Sequence, residues 1–332
     1  MLEGVFKLLG DYGNPIPRFT AQRCLVVRRA VDGCDACLRA CPHEAVTIND
    51  VLTPDVTIDE KKCTACGLCV QACPTGALEF DLLSLLEGVR GQGETAKLVC
   101  SQAASVEGGK ATPCLGRVTP SVVVASGGWD QELTLVRGDC QSCPVGSPEV
   151  PERLERVVEE AQRLREATGR PARVTVREAD ARHSTQERVS RRGIFGAAAR
   201  SARGVVADFI PESPLPFLDW SDPEEHVPAE WVWRARALRP KPSPQTPVAW
   251  PAPSVDEKCI FCPVCENVCP TDAISREVQE DGAVQIILKL ADCTGCGACV
   301  RSCPPDAMTL EPLWPAQALG ARVLLRESEG AL

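Results

Sequence analysis

Between residues 95 and 178 the apolar positions fall into two alternating periods. TAKLVC (95–100) and ELTLVR (132–137) are short apolar runs of strand length, and ARVTVRE (172–178) is a third. Between them, LGRVTPSVVVAS from Leu115 to Ser126 predicts a helix with Pro120 near its first turn. Residues 149–168 predict a second helix, with Leu154, Val157, Val158, Ala161 and Leu164 on one apolar stripe. Glu149/Arg153, Glu152/Arg156 and Glu159/Arg163 are i,i+4 pairs on its polar side. Strands alternating with helices predict a small parallel sheet, whose carboxyl ends would form a ligand crevice. Cys100 closes the first strand, Cys140 and Cys143 follow the second, and Cys114 opens the first helix on the same edge. Four cysteines far apart in sequence are therefore expected to converge.

The flanking segments follow another rhythm, set by cysteine. Cys63, Cys66, Cys69, Cys73 and Pro74 read C-x2-C-x2-C-x3-C-P, and so do Cys259, Cys262, Cys265, Cys269 with Pro270 and Cys293, Cys296, Cys299, Cys303 with Pro304. A fourth block has Cys34, Cys37, Cys41 and Pro42, with Val31 where its leading cysteine belongs. Each block continues alike, as CPHEAV, CPTGAL, CPTDAI and CPPDAM. Structural zinc favours separated C-x2-C pairs over four cysteines in eleven residues followed by proline.

From 183 to 251 core-like periodicity fades. QERVSRRGIFGAAARSARGVVAD (186–208) predicts a basic helix, followed by a Pro-rich connector. Ser190-Arg191-Arg192 holds the arginine pair of a twin-arginine export signal, but no apolar stretch follows and an internal helix is expected. Trp220, Trp231, Trp233 and Trp250 are expected to pin this segment onto the folded domains.

Composition decides what the 20 cysteines are for. They could be disulfides in an oxidising compartment or metal ligands in a reducing one. The start, MLEGVFKLLGDYGNPIPRF, has no basic n-region or sustained apolar run, and no stretch reaches the roughly 18 apolar residues of a membrane span. A cytoplasmic protein with thiolate ligands is the expectation. The formal charge of −9 argues against nucleic acid and for docking to a basic patch on a redox partner. His43, His183 and His226 form no catalytic constellation, and no G-x-G-x-x-G loop supports a flavin or nicotinamide site.

The cysteine blocks resemble the bacterial dicluster ferredoxin family over residues 20–81 and 252–312. In such proteins three cysteines of a tight loop hold one cubane and the fourth crosses to the other cluster. The resemblance implies four [4Fe–4S] clusters. Cys259, Cys262 and Cys265 would share one with Cys303, and Cys293, Cys296 and Cys299 would share its neighbour with Cys269. Cys63, Cys66 and Cys69 would join Cys41. Cys34, Cys37 and Cys73 need a fourth ligand, and Cys24 is the candidate; a free Cys24 would leave three ligands and a [3Fe–4S] cluster. PCLGR and the later C-x2-C are similar to the small iron–sulfur delta subunit of hydrogenase–heterodisulfide reductase systems. That likeness implies a fifth cluster at Cys100, Cys114, Cys140 and Cys143, [4Fe–4S] or [2Fe–2S]; zinc and unligated thiols are the alternatives.

The expected fold is α+β: dicluster domains at 20–81 and 252–312 flank a small α/β domain at 95–178, with the basic helix and Pro-rich linker at 183–251. The expected function is electron transfer, as a carrier or as a non-catalytic subunit of an oxidoreductase complex. A redox enzyme with a catalytic middle-domain cluster and an iron–sulfur redox sensor are the alternatives.

Overall fold

A computed structural model of the chain describes residues 16–49, 53–103, 107–179 and 226–328. The expected basic helix, the Arg191-Arg192 pair, His183 and Trp220 lie outside the described residues.

The N-terminal cysteine segment folds as two interleaved halves. Strand β1 (Arg18–Phe19) and helix α1 (Ala36–Arg39) lead into the hairpin of β2 (Val46–Asn49) and β3 (Asp55–Ile58). Helix α2 (Leu68–Ala72) follows, and β4 (Leu78–Glu79) returns antiparallel to β1. Helix α3 (Leu82–Arg90), capped by Asp81 accepting from Ser84 N at 3.1 Å, then enters the middle of the chain.

The middle domain is a four-stranded, all-parallel sheet in the order β6-β5-β7-β8. Its strands are β5 (Thr95–Cys100), β6 (Lys110–Thr112), β7 (Glu132–Arg137) and β8 (Arg173–Glu178). Helix α4 (Pro120–Gly128) follows β6, and the expected start at Leu115 is displaced. Leu115–Arg117 instead form a separate 3₁₀ turn, because proline disfavours helical backbone in the residue before it and suits the first helical position. Helix α4 buries residues around its whole circumference, as expected of a helix enclosed by packing. Helix α5 (Val150–Glu166) buries Leu154, Val157, Ala161 and Leu164, and two of its three expected ion pairs close, Glu149–Arg153 at 2.9 Å and Glu152–Arg156 at 3.7 Å.

The Pro-rich segment holds an element the pattern did not reveal, helix α6 (Ala229–Arg236). Trp231 and Trp250 are buried in the large core that runs through the middle and C-terminal domains, and Trp233 packs against it. Strand β9 (Pro247–Val248) then leads into a second copy of the interleaved arrangement. In it, β10 (Ala252–Val255), helix α7 (Val264–Asn267), β11 (Ile274–Val278), β12 (Val284–Lys289), helix α8 (Ala298–Arg301) and β13 (Met308–Glu311) follow in order. The pairs β10·β13 and β11·β12 repeat those of the first copy. Two additions distinguish it: β14 (Trp314–Pro315) pairs with β9, and β15 (Arg322–Glu327) extends the β11·β12 hairpin. Within the described residues, no helix is long and apolar enough to cross a membrane.

Candidate metal centres

The repeated tail of each cysteine block has a backbone reason. The third residue after the last cysteine (Glu44, Gly76, Asp272 and Asp306) has φ of +51°, +62°, +50° and +51°. This left-handed turn reverses the chain so that the next alanine faces the cysteine it has just passed. Ala45 N donates to Cys41 Sγ at 3.3 Å, Ala77 N to Cys73 Sγ at 3.2 Å and Ala307 N to Cys303 Sγ at 3.3 Å. An amide aimed at sulfur favours thiolate over thiol.

The turns bring the cysteines into sets. Cys24, Cys34, Cys37 and Cys73 line one cavity of about 20 Å³. Cys41, Cys63, Cys66 and Cys69 line a second of about 20 Å³, and Cys259, Cys262, Cys265 and Cys303 a third of the same size. Each exceeds the ~10–15 Å³ that seats one water. In every case the last cysteine of one block joins the leading cysteines of its partner block. Cys269 stands close enough to Cys293, Cys296 and Cys299 to act electrostatically on all three. Cys24, at the end of a 3₁₀ turn over Ala21–Arg23, faces the cavity that lacked a fourth cysteine.

The middle domain assembles its own set at the carboxyl edge of its sheet. Cys100, Cys114, Cys140 and Cys143 line a cavity of about 10 Å³. Three receive backbone amides: Gly138 N to Cys100 Sγ at 3.1 Å, Gly116 N to Cys114 Sγ at 3.4 Å and Gly146 N to Cys143 Sγ at 3.3 Å. Gly146 packs tightly on the set, since a Cβ there would lie 3.1 Å from Cys114 Sγ and 4.0 Å from Cys143 Sγ. Among the described residues, no group of three or more His, Cys, Asp or Glu is set to hold a single metal ion.

Burial dominates the charge state of these thiols. It pushes Cys37 up to about 12, helped by the neighbouring Cys73, Cys34 and Cys24. Cys114 and Cys293 also rise to about 12 and Cys265 to about 11, all chiefly through burial, while Cys69 and Cys299 are raised by burial and by crowding thiols. A metal centre that binds at these raised thiols must displace their protons.

Sequence reasoning missed the residues that join the N-terminal and middle sets. Arg117 Nε donates to Ala65 O at 2.8 Å, inside the Cys63–Cys66 loop, and its guanidinium lies 3.7 Å from the centre of the Phe80 ring. Gln71 Nε2 donates to Val118 O at 2.6 Å, Thr64 Oγ1 donates to Val145 O at 2.7 Å, and His43 Nε2 lies 2.9 Å from the same carbonyl. Such contacts span 47 to 102 residues and leave no local signal. A far larger cavity, about 320 Å³, lies beside this junction, but Cys73 is the one cysteine on its described walls. Its charged groups include the mutually paired Glu160, Glu230 and Arg234, so the thiol chemistry lies elsewhere.

Comparison with known proteins points to the two flanking cysteine segments. The family described as "4Fe-4S dicluster domain" matches residues 32–77 and again 258–307. A curated relative, one of the subunits of the ion-translocating oxidoreductase complex of Methanosarcina acetivorans, is 45% identical over 48 residues. That match covers 14% of this chain and spans 17% of the relative's length.

Proposed function

We propose that this iron–sulfur electron-transfer protein, with its two 4Fe–4S dicluster domains, serves as an electron-transfer subunit of an oxidoreductase complex, holding four [4Fe–4S] clusters and a fifth cluster in its middle domain. A bound cluster supplies a one-electron couple, with a potential set by hydrogen bonds to sulfur, nearby charge and solvent exposure. The observation that carries the reading is the exchange of cysteines between blocks. Cys73 faces the cavity of Cys34 and Cys37, Cys41 that of Cys63, and Cys303 that of Cys259. Crossed sets of this kind are what two-cluster ferredoxins use. Cys24 completes the first set with the protein's own thiol.

The chain's residues do the rest. Thiolates bind, and the amides of Ala45, Ala77 and Ala307 at 3.2–3.3 Å offset their negative charge. Apolar neighbours such as Val26, Val46, Val56 and Leu78 exclude water from the N-terminal pair. With four cysteines at each set, every iron of a cubane has a protein ligand, which supports electron transfer over substrate chemistry. The relative's name supports a place in a complex, and the acidic charge of −9 suits docking to a basic partner.

Iron and sulfide analysis of anaerobically reconstituted protein tests the reading. About 16 iron atoms are expected from four cubanes, plus about two or four from the middle site. Near-stoichiometric zinc with little iron would overturn it.

A further inference from the structure

We propose that the five cysteine sites lie in one unbranched line, with the middle-domain site at one end, and that Arg117 is the positioning residue joining it to the Cys41/Cys63/Cys66/Cys69 site. The proposal rests on the iron–sulfur reading above and adds an order, which differs from the order along the chain. From one end it runs Cys259 set, Cys293 set, Cys34 set, Cys63 set, Cys100 set.

The shared core around Trp231 and Trp250 also joins the middle and C-terminal domains, but two other junctions bring cysteine sets of different domains together and give that order. At the first, Leu25, Ala30 and Ala298 form a small buried cluster against which Cys34 and Cys296 both pack. Arg28 Nη1 donates to Asn267 O at 3.3 Å and Val31 N donates to Ser302 Oγ at 3.4 Å, which clamps the same contact from its rim. The Cys34 and Cys293 sets are thus neighbours across the domain boundary.

At the second junction the approach is backbone to backbone. A Cβ on Gly116 would lie 2.6 Å from Cys66 O, and one on Gly67 would lie 2.7 Å from Gly116 O. Gly116 in turn donates its amide to Cys114 Sγ at 3.4 Å. A short path therefore runs from the Cys66 carbonyl through one glycine to the Cys114 sulfur. Arg117 lies beside that path, held by Ala65 O at 2.8 Å and by the Phe80 ring. A fixed cation there stabilises the more negative, reduced state of both neighbouring sites. Along the line, each transfer oxidises one site by one electron and reduces the next by one. A one-electron donor protein and a one-electron acceptor protein are required at the two ends.

The test uses the full chain, reconstituted and fully reduced, with electron paramagnetic relaxation and potentiometry as readouts. Emptying the middle site by Cys140→Ser is expected to slow the relaxation of one other signal, the one that Cys63→Ser removes. Cys259→Ser is expected to leave the middle-site signal unchanged. Arg117→Gln is expected to shift two potentials downward, those of the Cys63 and Cys100 sites, with Arg117→Lys restoring them. The proposal is overturned if Cys140→Ser alters no other relaxation, if Cys259→Ser alters the middle-site signal, or if Arg117→Gln leaves both potentials in place. Low iron in the unsubstituted protein would instead sink the cluster reading itself.

Discussion

At the scale of single residues, the left-handed turn after each block explains why these tails look alike. Asp306, at φ +51°, sets Ala307 N against Cys303 Sγ. Aspartate tolerates this conformation because its short polar side chain can bond locally, whereas a β-branched residue cannot. Asp306→Gly should change stability by less than about 1 kcal/mol, while Asp306→Val should cost about 1–2 kcal/mol or more. Denaturant titration of the cluster-loaded protein would separate the two variants. Cys24 makes the sharper case, since nothing in the spacing of its block demands it. Its side chain is buried and lines the cavity shared by Cys34, Cys37 and Cys73. Cys24→Ala should convert one cubane to a three-iron form or lose it, giving a new EPR signal after oxidation. Unchanged iron and unchanged EPR would make Cys24 a packing residue.

Among elements, helix α4 shows how the middle domain depends on a distant segment. Its N-terminal amide at Ser121 donates to Glu230 Oε1 at 2.9 Å, and Ser121 Oγ donates to Glu230 Oε2. Glu230 sits on α6 and also accepts from Arg234 Nε at 2.8 Å. A carboxylate here satisfies an orphaned helix amide and faces the positive end of the helix dipole. Glu230→Ala would leave Arg234 and Ser121 short of a buried partner and should cost about 3–5 kcal/mol, with Glu230→Gln costing less. The midpoint of chemical unfolding reports both. Sequence pattern located β5 and β7 at the same residues the structure does, because both are apolar runs of strand length. It passed over β6, whose three residues include two exposed ones, and α6, whose tryptophans sit in a proline-rich stretch. The cysteine blocks were legible for a different reason, since their spacing within a loop is local chemistry, whereas the exchange of a cysteine between blocks was implied by the resemblance alone. The role of Gly116 and Arg117 was not, since their partners at Cys66 and Ala65 lie about fifty residues away and meet them through tertiary packing.

For the molecule as a whole, one core runs from the middle sheet into the C-terminal domain. Leu98 and Leu135 of the sheet belong to the same buried cluster as Trp231, Trp250, Ile286 and Leu288. The C-terminal domain is therefore not a bead on a string, and its cofactor site shares its support with its neighbour. Trp250 is where that sharing becomes testable. Its ring is buried in the common core, and Nε1 donates to Cys293 O at 3.0 Å. The indole thus fixes the backbone of a cysteine while filling space between domains. Trp250→Phe keeps most of the apolar contact and removes the hydrogen bond, which should cost about 1–3 kcal/mol because the carbonyl is left buried without its donor. Trp250→Ala also opens a cavity and should cost about 3–5 kcal/mol. If the shared core governs both properties, the phenylalanine variant should lose iron from one C-terminal site faster than wild type while unfolding in a single transition. The alanine variant should lose iron and fold together. Iron release to a chelator, followed beside the unfolding curve of the same sample, checks this. Separate transitions for the middle and C-terminal domains in the unsubstituted protein would show that the common core does not couple them.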